Sequence, residues 1–168
     1  EYPNLAWAIA GGIAGALLAG LLLGSINAAL IVRLRIPAFI ATLATAGIFL
    51  GLSQVWTGGL NVQGVPQPIQ RHFGLNNLLG VPYPVVVAAV IVAVLWIVLA
   101  KTRFGMRTYA IGASAEAARR AGINVSAHMT ILYLTMGVLA GIVGLVEVAR
   151  FNTATVAGHT DTALAAIA

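Results

Sequence analysis

Apolar residues gather into four long runs, separated by short breaks rich in polar residues, glycine and proline. The runs extend from about Leu5 to Val32, Ala38 to Val55, Pro84 to Ala100 and Met129 to Val148. Roughly 20 apolar residues carry a helix across a bilayer, and about 17 are enough. The second and third runs lie at the short end of that range. The first is long enough to tilt or bend, because a helix rises about 1.5 Å per residue. Backbone polar groups in lipid must be satisfied inside the protein, by helices or by a closed barrel. Barrel strands alternate polar and apolar residues, and the run Val85 to Ala100 does not. The pattern predicts an all-α fold, a polytopic transmembrane helical bundle.

The breaks carry their own signals. Pro37 lacks a backbone donor and pushes Ile36 out of helical geometry, so the first helix must end at about Arg35 to Pro37. That break is either a surface turn or a bend at membrane depth. The segment 57–83 holds Gly58, Gly59, Gly64, Pro66, Pro68, Gly74, Gly80 and Pro82 and is expected to be a turn-rich loop. In the third break, Ser114 caps a short helix from Ala115 to Ala121, and Gly122 ends it. Glu116 near its start and Arg119 and Arg120 near its end suit the helix dipole. Taken alone, such a helix is also what an ordinary basic surface loop contains.

Composition agrees with the bilayer. The 168 residues are 60% hydrophobic and 8% charged, with no cysteine, against about 25% charged residues in a soluble domain. The absence of cysteine excludes disulfides and thiolate metal sites. The net charge of +5 reflects loop bias rather than nucleic-acid binding. Arg33, Arg35, Lys101, Arg103, Arg107, Arg119 and Arg120 fall on one side of the predicted spans, and Arg71 and Arg150 on the other. The positive-inside rule makes 101–128 a cytoplasmic loop and 57–83 an external one. The chain opens at Glu1 without methionine, has no basic segment before Leu5, and closes inside an apolar run. It therefore reads as a fragment of a larger membrane chain, without a signal peptide.

Glycines recur four apart at Gly11 and Gly15, Gly20 and Gly24, Gly47 and Gly51, and Gly137 and Gly141. Small residues at this spacing let helices approach closely in lipid, either within one chain or across a dimer. The third run has no glycine and is the candidate for an outer, lipid-facing helix. Catalytic and metal motifs are missing: His72, His128 and His159 match no zinc spacing, and no phosphate-cradling loop occurs. His128 is expected as an interfacial side chain. Glu147 and Arg150, three apart, are expected to pair near the end of the fourth run, and Asp161 to cap a following helix. Most hydroxyls in the spans are expected to bond back to their own helix. Asn27 either glues helices together or faces a path.

The segment Thr102, Phe104, Gly105, Tyr109, Ala110, Gly112, Ala117, Ala118, Gly122 and Ile123, followed by Gly137, Ala140 and Gly141, carries a pattern. So does Ile36-Pro37-Ala38-Phe39-Ile40-Ala41-Thr42-Leu43-Ala44-Thr45 after Asn27, along with the Trp56-Thr57-Gly58-Gly59 turn and the Gly158 to Ala168 tail. Together these resemble the permease subunits of bacterial ABC sugar importers, the ribose, xylose, rhamnose and autoinducer-2 type, over nearly the whole chain. Two departures stand out: Met106 and Arg107 displace the usual Gly-Arg, and Ser114 replaces a common asparagine. The resemblance implies a fragment of an inner-membrane permease that pairs with a second permease subunit, the same or different. It implies cytoplasmic ATP-binding subunits gripping Ala115, Glu116, Ala117, Ala118, Arg119, Arg120, Ala121 and Gly122, and an external substrate-binding protein. ATP would sit on the partner subunits, leaving this chain with no cofactor, no metal, no catalytic residue and no nucleic-acid partner. Asn27, Phe39, Thr42 and Thr45 are the candidates for the wall of the path. Alternatives are an ion-coupled carrier or channel subunit, which needs a buried carboxylate or polar ring, and a non-transporting scaffold.

Overall fold

The computed structural model describes residues 5–63, 77–78 and 81–154. Its elements in chain order are α1 (Leu5–Ala28), a π-helical turn (Ala29–Arg33), α2 (Ala38–Thr57), β1 (Val62–Gln63), β2 (Asn77–Leu78), β3 (Val81–Pro82), α3 (Tyr83–Lys101), α4 (Arg103–Ala113), α5 (Ala115–Arg120), α6 (Val125–Phe151) and β4 (Thr153–Ala154). The strands are two-residue loop pairings, so the fold is all-α. Among the described residues, four helices are long and apolar enough to cross a membrane: Ile9–Arg33, Ala38–Thr57, Tyr83–Lys101 and Val125–Phe151. This is a multi-pass membrane protein. The expected helix cap at Asp161, the tail from Gly158, and His72 and His159 lie outside the described residues.

The centre of the fold is the crossing of α1 and α6. A Cβ built on Gly20 would collide with the Gly137 carbonyl, and one on Gly137 with the Gly20 carbonyl. At Gly24 it would stand 2.7 Å from the Tyr133 carbonyl oxygen, and at Gly141 2.5 Å from that of Ala16. The pairing order is antiparallel: Ala16 against Gly141, Gly20 against Gly137, Gly24 against Tyr133. Packing in lipid draws on such close backbone contact rather than on a hydrophobic force. Two of the four expected glycine pairs thus form the seam. Gly11, Gly15, Gly47 and Gly51 face open space, with nothing within 4 Å of a Cβ.

The break after α1 is built stepwise. Leu34 N–H donates to the Ala29 carbonyl at 3.2 Å and Ile36 N–H to the Leu30 carbonyl at 3.2 Å, a widened last turn. Arg35 sits at φ 56, a left-handed geometry uncommon for a residue with a side chain. Pro37 then opens α2, its carbonyl accepting from Ala41 N–H at 3.0 Å. At the far end of α2, Gly59 N–H reaches the Gln54 carbonyl at 2.8 Å and Gly58 N–H that of Val55 at 3.4 Å, with φ of 74 and 63 at the two glycines. This glycine-closed terminus accounts for the predicted Trp56 to Gly59 turn.

Strand β1 pairs antiparallel with β4, Val62 opposite Ala154 and Gln63 opposite Thr153. That pairing ties the exit of α2 to the exit of α6. Because α1 runs antiparallel to α6, Arg33 and Arg35 lie at the other end, beside the start of α6. The basic segments therefore gather at one end of the helices. Helix α3 has no buried residue. It turns Val85, Val90, Val92 and Trp96 outward, as expected of an outer helix. Helix α6 begins four residues earlier than the apolar run, because Asn124 caps it by accepting from Ala127 N–H at 3.0 Å. At its other end the Arg150 guanidinium lies over the Phe151 ring, 5.3 Å from the centroid.

Candidate functional site

The basic end is a corner of two consecutive helices. Thr102 is extended at φ −114 and ψ 160, and its hydroxyl works in both directions. It donates to the Val98 carbonyl at 2.6 Å and accepts from Gly105 N–H at 3.4 Å, closing α3 and capping α4. Gly105 is buried against α3, where a Cβ would collide with the Leu99 carbonyl. The Thr102-Arg103-Phe104-Gly105 sequence is therefore the corner itself: a cap followed by the residue that lets the next helix fold back.

Helix α4 was not expected from the sequence, since Gly105 and Gly112 lower its helix propensity. The signal for it lay in Phe104, Thr108 and Ile111, spaced along one face after a capping threonine. Each of the three is half-buried.

Ser114 ends α4 and begins α5. Its N–H donates to the Ala110 carbonyl at 3.1 Å, and its Oγ accepts from Ala117 N–H at 3.2 Å. Helix α5 closes where Ile123 N–H bonds the Ala118 carbonyl at 3.0 Å and Gly122 N–H the Arg119 carbonyl at 2.9 Å. Gly122 sits at φ 82, the left-handed position that glycine occupies without a Cβ penalty. Arg120 Nε donates to Glu116 Oε1 at 3.2 Å, with both side chains largely in solvent. A solvated pair of this kind adds little stability.

The structure divides the predicted docking residues. Ala118 is only 4% exposed, and Ala115 is half-buried. These two anchor α5. Glu116, Ala117, Arg119, Arg120, Ala121 and Gly122 are exposed and form the outward surface.

Of the residues expected along the path, two are joined. Thr45, 5% exposed, donates to Asn27 Oδ1 at 2.8 Å and thereby links α2 to α1. Asn27 thus joins two helices in this structure. Thr42 is exposed, and its hydroxyl is spent on its own helix, 2.9 Å from the Ala38 carbonyl and 3.2 Å from that of Phe39. The Phe39 ring is 64% exposed on the same helix.

His128 stands at the start of a span, as expected, but it is not solvated: it is 6% exposed. Its Nε2 lies 2.8 Å from Thr108 Oγ1, and its ring meets Phe104 at 4.5 Å between centroids, tilted by 36°. Sequence reasoning missed this contact because α4 itself was missed.

Four apolar helices with a capped, basic corner make up a multi-pass membrane protein. The chain belongs to the family described as branched-chain amino acid transport system / permease component, which it matches over residues 2–168. It is 35% identical to the ribose import permease of Escherichia coli strain K12 over 93% of this chain and 50% of that one. It is 36% identical to the autoinducer 2 import system permease of Shigella flexneri over 77% and 38%. It is 32% identical to the D-allose transport system permease of Escherichia coli strain K12 over 83% and 43%. The chain thus spans about half the length, or less, of the curated relatives it matches. No solved structure matches it.

Proposed function

We propose that this chain belongs to the membrane-spanning subunit of an ATP-driven importer and forms part of the path for a sugar or sugar-like small molecule across the bacterial inner membrane. The observation that carries this reading is α5. It is a short helix capped at both ends, anchored through Ala118, and presenting Glu116, Arg119 and Arg120 to solvent. A helix fixed at its root and charged on its outer face is suited to dock a partner and be pushed by it. The partner on this reading is a cytoplasmic ATP-binding subunit. The basic end is the cytoplasmic one under the positive-inside rule, so 101–128 is the coupling loop and 57–83 faces outside.

The names of the relatives, which import ribose and autoinducer 2 or transport D-allose, support a polyhydroxylated cargo over a branched-chain amino acid. Spans with few free donors hold such a molecule weakly, and weak internal binding favours release. Selectivity then rests with an external binding protein, and a second permease subunit completes the path. Asn27, Phe39, Thr42 and Thr45 remain the proposed wall, with the Asn27–Thr45 bond setting the spacing of α1 and α2.

The test is uptake per ATP hydrolysed by the full-length permease reconstituted with its ATP-binding subunits. Glu116→Lys and Arg119→Glu are expected to lower that ratio while binding-protein docking persists. An unchanged ratio in both variants contradicts the reading.

A further inference from the structure

Helix α5 has six residues and is anchored chiefly by Ala118. It needs a mechanical connection to the spans if partner binding is to move them. The backbone leads from α5 into α4 through Ser114. Helix α4 meets α6 at the Phe104, Thr108 and His128 cluster. Among the described residues the buried polar side chains are Thr45 and His128, and each is held by a bond from one helix to another.

The Thr108 hydroxyl lies 3.0 Å from the Phe104 carbonyl and 2.8 Å from His128 Nε2. A hydroxyl can donate or accept, so it is a partner for either tautomer of the ring. Phe104 and Thr108 are four apart and share a face of α4. One supplies a ring against the imidazole, the other a hydroxyl partner for it. A buried polar pair of this sort is directional, unlike the apolar contacts around it, and losing either partner leaves the other unsatisfied.

We propose that the Thr108–His128 pair, stacked on Phe104, is the joint that carries displacement of the α4–α5 corner into α6, and from there through the Gly20–Gly137 seam into α1. Thr108 and His128 are positioning residues in this account. They touch neither cargo nor nucleotide. The inference rests on α5 being the docking helix.

The experiment measures cargo imported per ATP hydrolysed by the full-length permease reconstituted with its ATP-binding subunits and binding protein. His128→Leu and Thr108→Val remove the bond at nearly constant volume. Each is expected to lower the ratio by about 2- to 10-fold, the scale of one net hydrogen bond, with the ATP-binding subunits still copurifying. His128→Gln, whose amide can donate or accept near the place of Nε2, and Thr108→Ser are expected to restore it to within about 2-fold on the same scale. Should His128→Leu fail to assemble, Thr108→Val, which exchanges a single hydroxyl for a methyl, decides. Unchanged ratios in the bond-breaking variants, alongside uncoupling by Glu116→Lys and Arg119→Glu, overturn the joint and leave the docking helix standing. Failure of Gln and Ser to restore coupling also overturns it. Unchanged ratios in both sets overturn the docking helix, and the joint with it.

Discussion

Gly20 and Gly137 meet backbone to backbone: a Cβ on either would strike the carbonyl oxygen of the other. The contact sits past the middle of α1 and midway along α6, and it fixes their antiparallel crossing. Ala at either position is expected to cost about 1–3 kcal/mol through overpacking, and Gly137→Leu should prevent accumulation of folded protein. Gly47→Ala, in open space, should change stability by less than about 0.5 kcal/mol. Thermal unfolding of the detergent-solubilised full-length protein measures the alanine variants, and the yield of folded protein from membranes measures Gly137→Leu.

The Asn27–Thr45 bond joins α1 to α2 at 2.8 Å. Hydrogen bonds between membrane helices average about 0.6 kcal/mol and reach about 1.7. A double-mutant cycle of Asn27→Leu and Thr45→Val on unfolding free energy should return a coupling in that range. A coupling indistinguishable from zero would mean that the two side chains act separately and that Asn27 does not serve as glue.

The ends of α5 respond locally. Ser114→Ala removes the oxygen that accepts Ala117 N–H, at a cost of about 1 kcal/mol. Gly122→Ala forces a side chain into φ 82, with a destabilisation of about 1 kcal/mol or more. Both changes should speed amide hydrogen exchange across residues 117–123 and leave the α1–α6 seam as protected as before. Faster exchange at Gly137 would show that α5 and the spans are not separate units.

The spans were legible to within a few residues because lipid imposes one rule on a long apolar segment. Their ends were less so. Met129 begins the apolar run of α6, yet the helix starts at Val125, since Ser126 and His128 dilute the hydropathy of a turn that Asn124 caps. Sequence gave four glycine pairs equal standing, and only backbone geometry distinguishes Gly20 and Gly137 from Gly47 and Gly51. The caps at Ser114 and Gly122 could be read directly, because capping is local chemistry. The burial of Ala118 and His128 could not, because it depends on α4, whose glycines mask its helical pattern, folding back at Gly105.

The central claim is that α5 is the surface a nucleotide-hydrolysing partner grips from the cytosol. These 168 residues hold no cysteine, so in a full-length importer whose other cysteines have been replaced, Arg119→Cys places the one thiol on the exposed face of α5. In whole membranes holding the full-length importer, a short thiol crosslinker should join this position to the ATP-binding subunit, and nucleotide should alter the yield. Labelling of the same cysteine by a membrane-impermeant reagent added outside intact cells, with no crosslink to the ATP-binding subunit, would contradict the account.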